Sequence, residues 1–159
     1  LFIADEVFCC IGTTKAKTPN EEQYLKIDYA IPATLAQLCK KMGIHTLLVI
    51  SALGANKNSK IFYNRTKGRM EEEVLRNKIK NTYILQPSLI GGSRNEKRLG
   101  EKIAKLFMSI LNPFLIGSLK KYRSIHPETI AKAMIWLANN DYKSRRIPSN
   151  EIQQIAVSL

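Results

Sequence analysis

Short apolar runs alternate with amphipathic stretches along this chain. Glu6 to Ile11 reads as a β run, ended by Gly12-Thr13-Thr14 and followed by a polar loop through Pro19. From Glu21, apolar residues fall at Tyr24, Ile27, Ile31, Leu35, Leu38 and Met42, in steps of three and four that predict one buried helical face. Pro32 interrupts that pattern, so a kink or a fresh helix start is expected near Ile31, and Gly43 is placed to end the helix. Thr46-Leu47-Leu48-Val49-Ile50 is an uninterrupted apolar run of the kind found in a strand buried on both faces.

Beyond a loop rich in Gly, Asn, Lys and Ser, a helix is predicted from about Phe62 to Lys78. Thr82-Tyr83-Ile84-Leu85 is the next strand, closed by Gln86-Pro87 and a loop at Gly91-Gly92-Ser93. A helix from about Gly100 to Leu111 would bury Ile103, Leu106, Phe107 and Ile110. Another, from Pro127 to about Asn139, would bury Ile130, Met134 and Leu137, with Trp136 packed or half-packed. Ser149 reads as the cap of a short last helix.

Strands separated by helices, three times over, predict an α/β fold: a doubly wound parallel sheet in one domain spanning residues 1–159. Such sheets bind ligands at the carboxyl ends of their strands. The positions to watch are therefore Gly12-Thr13-Thr14, Ser51-Ala52 and Pro87-Ser88-Leu89.

Composition narrows the classes. The 159 residues are 45% hydrophobic and 24% charged, ordinary for a globular domain and unlike low-complexity or coiled-coil sequence. No apolar run approaches the roughly 18–20 residues of a membrane span, and the first residues lack the basic start of a signal peptide. Three cysteines, Cys9, Cys10 and Cys39, are expected to be buried reduced thiols, as in a cytoplasmic protein. His45 and His126 stand apart without metal-ligand spacing, so no metal site is expected. The net charge of +12 lies wholly beyond residue 50, which suits an anionic partner such as a nucleotide cofactor.

Tyr63 and Lys67 are four residues apart on a predicted helix and so share a face. An ammonium beside a phenol lowers a pKa that starts near ~10, fitting the tyrosine for proton transfer near neutrality. Ser51 ends a buried strand twelve residues earlier, where its hydroxyl would bond a substrate carbonyl oxygen while Tyr63 donates the proton.

In that order, Ser51, then Tyr63-Asn64-Arg65-Thr66-Lys67, then a strand and Pro87 resemble the second half of a short-chain dehydrogenase/reductase. With Val7-Phe8-Cys9-Cys10-Ile11-Gly12-Thr13-Thr14, Asp28-Tyr29 and Ser51-Ala52-Leu53-Gly54-Ala55, roughly residues 5 to 140 resemble the atypical subgroup of small NAD(P)-binding proteins. That subgroup includes the Tat-interacting protein and relatives called nucleoside-diphosphate-sugar epimerase-like or semialdehyde dehydrogenase-like. The resemblance implies a Rossmann-like sheet and NAD or NADP as cofactor. It implies that Ser51 orients the substrate carbonyl and Tyr63 moves the proton. Lys67 would hold the nicotinamide ribose and depress the Tyr63 pKa. Gly12 and Thr13 would line the dinucleotide, and Pro87, Ser88 and Leu89 would border the nicotinamide.

One departure stands out. The glycine-rich phosphate loop of the first strand-turn-helix unit has no counterpart, since nothing here matches Gly-x-Gly-x-x-Gly and Gly91-Gly92-Ser93-Arg94 follows the wrong strand. The sequence is expected to start at the fourth strand of the full sheet, lacking its first strands, which weakens the expectation of cofactor binding by this chain alone. The leading expectation is a cytoplasmic NAD(P)-dependent oxidoreductase acting on a small carbonyl or alcohol. The alternatives are an inactive cofactor-sensing domain that works through a protein partner, and, less favoured, a basic nucleic-acid-binding protein. A sheet that lacks strands would expose an apolar edge and face, to be covered by a protein partner or a second copy.

Overall fold

The computed structural model describes residues 4–91 and 122–158. Among the described residues, four strands form one parallel sheet in sequential order: β1 Glu6–Cys9, β2 Thr46–Ile50, β3 Asn81–Gln86 and β4 Arg146–Pro148. The helices are α1 Glu21–Leu25, α2 Ile31–Lys41, α3 Phe62–Arg76, α4 Pro127–Asn139 and α5 Ser149–Ala156. A π-helical turn, Lys26–Ala30, joins α1 to α2.

Strand alternation sorts the core into two layers. Val7, Cys9, Leu47, Val49 and Ile84 point to one face and pack with Ala36, Cys39, Met70 and Val74 of α2 and α3. Leu48, Tyr83, Leu85 and Ile147 point to the other and pack with Ile130, Met134 and Leu137 of α4 and Ile152 and Ile155 of α5. The sheet is doubly wound, a Rossmann-like α/β architecture. Its register sets Cys9 beside Val49 and Val49 beside Ile84, so the carboxyl ends of β1, β2 and β3 lie along one rim.

Several expectations need correction. The third crossover ends in a fourth strand, Arg146–Pro148, too short and too polar at Arg146 to show an apolar run. Ser149 is the first residue of α5 rather than its cap, and its hydroxyl lies 3.0 Å from that of Ser88. Cys10 is exposed, while Cys9 and Cys39 are buried, and all three are free thiols.

The largest correction concerns the first long helix. Its buried positions are Tyr24, Asp28, Pro32, Ala33, Ala36 and Cys39, whereas Ile31, Leu38 and Met42 are exposed. The face against the sheet is built of small residues that let the helix come close, so hydrophobic size misidentified it. Pro32 explains the π turn. It has no N–H for the Asp28 carbonyl and its ring crowds that oxygen, so the chain widens, and Ile31 donates instead to the Lys26 carbonyl five residues back. Gly43 ends α2 at φ +70°, a conformation that favours glycine. On β1, Phe8 lies beside Leu48 on the same face of the sheet as α4 and α5, yet it is exposed and outside their apolar cluster. The expected helix at 100–111, and Gly92, Ser93 and Arg94, lie outside the described residues.

Candidate active site

Helix α3 supplies most of the chemistry. Tyr63, Lys67 and Glu71 recur every four residues, which sets them along one stripe. Gly68, next to Lys67, faces the loop after β2. A Cβ there would sit 2.2 Å from the Lys57 nitrogen and 2.3 Å from the Asn56 carbonyl carbon, so only glycine allows this approach. The Asn56 N–H donates to the Asn64 carbonyl of α3 at 3.0 Å, which fastens the same contact.

The centre of the site is an ion pair. Lys67 Nζ lies 2.7 Å from Asp28 Oδ1, with side-chain exposures of 5% and 1%, so both charges are out of water. The second carboxylate oxygen accepts the Thr13 N–H at 2.7 Å. The Thr13 hydroxyl meets that of Thr18 at 2.8 Å, and the Tyr24 hydroxyl donates to the Thr13 carbonyl at 3.4 Å. The π turn thus delivers Asp28 to the end of β1. Gly12 lies over the pair. A Cβ on it would be 3.4 Å from Asp28 Oδ1 and 3.7 Å from Lys67 Nζ, so only the absence of a side chain at Gly12 keeps the buried pair clear of a further contact on that side.

Tyr63 opens α3 and is partly exposed. Burial of its ring pushes the phenol pKa up, and the negative charge of Asp28 adds to the rise. Tyr24, edge-on to Phe62 with ring centroids 5.3 Å apart, is raised by burial and by Asp28 as well. The expectation that Lys67 depresses the Tyr63 pKa is therefore reversed: the ammonium is held by Asp28, and the phenol keeps its proton at neutral pH.

Ser51 is buried, and its hydroxyl donates to Glu71 Oε1 at 2.5 Å. A serine has one proton to give, so in this arrangement it cannot also donate to a substrate carbonyl, as the sequence led us to expect. Glu71, itself buried, also accepts from Gln86 Nε2 at 2.9 and 3.1 Å and from Arg146 Nε at 2.8 Å. Arg146 reaches Glu72 at 3.1 Å as well, and Lys57 beside Glu72 holds that carboxyl below its ordinary range, with Arg146 adding to the effect.

At the end of β3, the Pro87 carbonyl accepts the Leu53 N–H at 2.9 Å, tying the two post-strand loops together. The Ser88 hydroxyl donates to the Arg123 carbonyl, and Leu89 is exposed. The structure thus joins Gly12, Thr13 and Lys67 around Asp28, and Ser51 to the same helix through Glu71. Pro87, Ser88 and Leu89 sit at the neighbouring strand end with partners of their own.

Sequence reasoning passed over the roles of Asp28, Glu71 and Arg146. The first two carried a signal: Asp28 lies one turn after Tyr24, and Glu71 one turn after Lys67. Carboxylates at core spacing need partners, and cations were available.

No family model matches the chain. It is similar to curated fungal proteins named FMP52, mitochondrial: 31% identical over 134 residues to that of Debaryomyces hansenii, covering 83% of this chain and 58% of the relative. It is 33% identical over 131 residues to that of Aspergillus niger, covering 82% and 56%. For the Candida albicans protein the identity is 35% over 103 residues, covering 64% and 45%. The chain spans about half the length of the curated relatives it matches. Their names overturn the cytoplasmic expectation, and they are FMP52 proteins rather than the Tat-interacting protein.

Among solved structures the chain is similar to MoeE5 in complex with UDP-glucose and NAD, with a TM-score of 0.60 and 14% identity over 97% of this chain and 62% of that one. It is similar too to the ADP-L-glycero-D-manno-heptose-6-epimerase of Helicobacter pylori, with a TM-score of 0.64 and 16% identity over 97% and 58%. At these identities the likeness establishes the Rossmann-like fold.

Proposed function

We propose that the chain carries the proton-transfer half of an NAD(P)-dependent oxidoreductase of the short-chain dehydrogenase/reductase type, acting in mitochondria on a small carbonyl or alcohol. One observation carries this reading: a phenol that keeps its proton stands on the same helix stripe as a buried lysine, at the carboxyl rim of a Rossmann-like sheet. MoeE5, which shares the fold, is described in complex with NAD.

The residues fit the nicotinamide end of such a cofactor. Gly12, without a side chain, and Thr13 stand next to the Lys67–Asp28 pair, so a ribose hydroxyl would reach Lys67 past Gly12. Among the described residues no glycine-rich turn is present to cradle a pyrophosphate, so this fit is confined to the nicotinamide and its ribose. When bound, the cofactor supplies or takes the hydride.

Every other task falls to the chain. In the reducing direction Tyr63 gives its phenolic proton to the carbonyl oxygen as the C=O π bond opens, and the phenolate left behind regains a proton from solvent. The raised pKa suits a general acid that must hold its proton until the oxygen takes on charge. In the oxidising direction the same group must first lose that proton, so oxidation calls for high pH. Asp28 holds Lys67 in place and shields its charge, and a ribose hydroxyl would compete for the same ammonium.

The test is turnover of a carbonyl panel by the whole polypeptide with NADH or NADPH. Tyr63→Phe should abolish reduction while cofactor affinity changes little, and unchanged turnover in this variant would refute the assignment. A second reading is favoured by the tie between Lys67 and Asp28: a cofactor-sensing domain that acts through a protein partner. Cofactor binding without reduction of any carbonyl in the panel would support it.

A further inference from the structure

The helical rod made of α1, the π turn and α2 is apolar on two sides, and the core uses one of them. It runs from Glu21 to Lys41, roughly 30 Å at about 1.5 Å per residue. Its side against the sheet is made of Ala33, Ala36 and Cys39. Arg69 of α3 lies over the Tyr29 ring at 5.6 Å, so α3 covers another side. The large residues form a stripe of their own. Ile27, Ile31, Leu35, Leu38 and Met42 follow one another at intervals of four, four, three and four. Ile31, Leu38 and Met42 are exposed, and Ile27 and Leu35 are only partly buried. A row of large apolar side chains left open along one helix is a contact surface rather than a solvated face.

The charges at the two ends of the rod say what covers it. Glu21 and Glu22 stand at the amino-terminal end, and Lys40 and Lys41 at the carboxyl-terminal end, all exposed. Acid, apolar stripe and base in that order match a second rod of the same sequence laid antiparallel. A parallel copy would set acid against acid and base against base.

We propose that this stripe is the interface between two copies of the chain, packed antiparallel about a two-fold axis level with Ile31 and Pro32. Glu22 of each copy is then level with Lys41 of the other, and Ile27 falls between Leu35 and Leu38 of the other. Glu22 already pairs with Lys26 at 2.8 Å, but those side chains are 77% and 68% exposed, and an exposed pair adds little, so Glu22 is able to turn to the second copy. The contact is isologous and closes on itself, which gives a dimer and no larger assembly. It stands apart from the oxidoreductase reading, since Asp28 lies on the buried side of the same rod.

The test is sedimentation equilibrium of the full chain at micromolar concentration. Wild type should be a dimer. Leu38→Glu, with Ile31→Ser as a second variant, should be monomeric, with the dissociation constant raised at least about a hundredfold and the circular dichroism of wild type retained. Glu22→Lys and Lys41→Glu should each weaken the dimer by about fivefold or more, because each change occurs twice across the axis. The double variant Glu22→Lys/Lys41→Glu exchanges the signs and should return to within about threefold of wild type. A monomeric wild type overturns the proposal, and so does a dimer that Leu38→Glu leaves intact. A double variant weaker than either single one means that the copies are not antiparallel, and the proposal fails. If Leu38→Glu and Ile31→Ser both unfold the chain, the stripe is covered from within the polypeptide. If a monomeric wild type sediments with phosphatidylcholine–phosphatidylserine vesicles, the occupant is a lipid surface, and either of these outcomes overturns it.

Discussion

Take away Lys67 and the cost should depend on whether Asp28 is still there. Their charged atoms are 2.7 Å apart with both side chains almost wholly buried. With an effective dielectric constant of about 20, Coulomb's law gives roughly 6 kcal/mol of attraction at that distance. Withdrawing the two ions from water costs several kcal/mol each, so the pair as a whole adds little. Either ion alone is a different matter. Lys67→Met strands a buried carboxylate whose remaining partner here is the Thr13 N–H, and should destabilise by about 3–5 kcal/mol. Asp28→Asn keeps an oxygen for that N–H but strands the ammonium, at a similar cost. The double variant Asp28→Asn/Lys67→Met strands neither and should come within about 2 kcal/mol of wild type. Urea unfolding of the four proteins, extrapolated linearly to water, measures the coupling directly. If the two single losses simply add in the double variant, the charges are not coupled as the geometry requires, and the account of the site centre falls with them.

Other consequences are simpler to check. Gly68→Ala should cost about 1–3 kcal/mol or more in thermal or urea unfolding, because its Cβ would meet backbone atoms at 2.2 and 2.3 Å that a side-chain shift does not relieve. Gly12→Ala should fold normally, since its Cβ meets only ordinary contacts at 3.4 and 3.7 Å, yet it should weaken NAD(P) binding in a cofactor titration by placing a methyl group between the cofactor and Lys67. Tyr142, desolvated and donating to Glu151 at 2.8 Å, has its pKa pushed up to about 12. A raised folded-state value means the folded protein holds that proton more tightly than the unfolded chain does. This contribution is complete below about pH 10 and is lost as pH rises toward 12, so Tyr142→Phe should flatten the alkaline limb of a stability profile.

The elements that were legible in the sequence owe it to strong periodic signals. Thr46–Ile50 is an unbroken apolar run, and Pro127–Asn139 opens on proline and keeps Ile130, Met134 and Leu137 in register. The helix carrying Tyr63 and Lys67 was legible too, and so were the strand ends before Ser51 and Pro87, whereas β1 stops at Cys9, two residues short of the apolar run that ends at Ile11. What was hidden depends on partners distant in sequence. No pattern marks Arg146–Pro148 as a strand until β3 stands beside it. Ala33, Ala36 and Cys39 are the buried face of α2 because of their small volume, while Leu38 and Met42 drew attention by hydrophobicity and proved exposed. Within the site the pairing of Tyr63 with Lys67 was read from spacing alone. The third member, Asp28, thirty-nine residues before Lys67, changes what the lysine does to the phenol.

The stripe on α3 gives the site a definite logic. A helix lays side chains every four residues along one line, so Tyr63, Lys67 and Glu71 are about one turn, roughly 6 Å, apart along the axis. Lys67 is fixed by Asp28 from the π-helical turn, and Glu71 by donors just after β2 and in β3 and β4. Tyr63, at the exposed end of the line, is left with the freedom a proton donor needs. Two anchored residues therefore hold the helix in both rotation and translation against the rim, and the reactive residue inherits its position from them. Gly68 is required for the same reason. Any side chain there would push the post-β2 loop away from α3, and Ser51, at the root of that loop, would draw away from Glu71 and lose the bond that sets its direction.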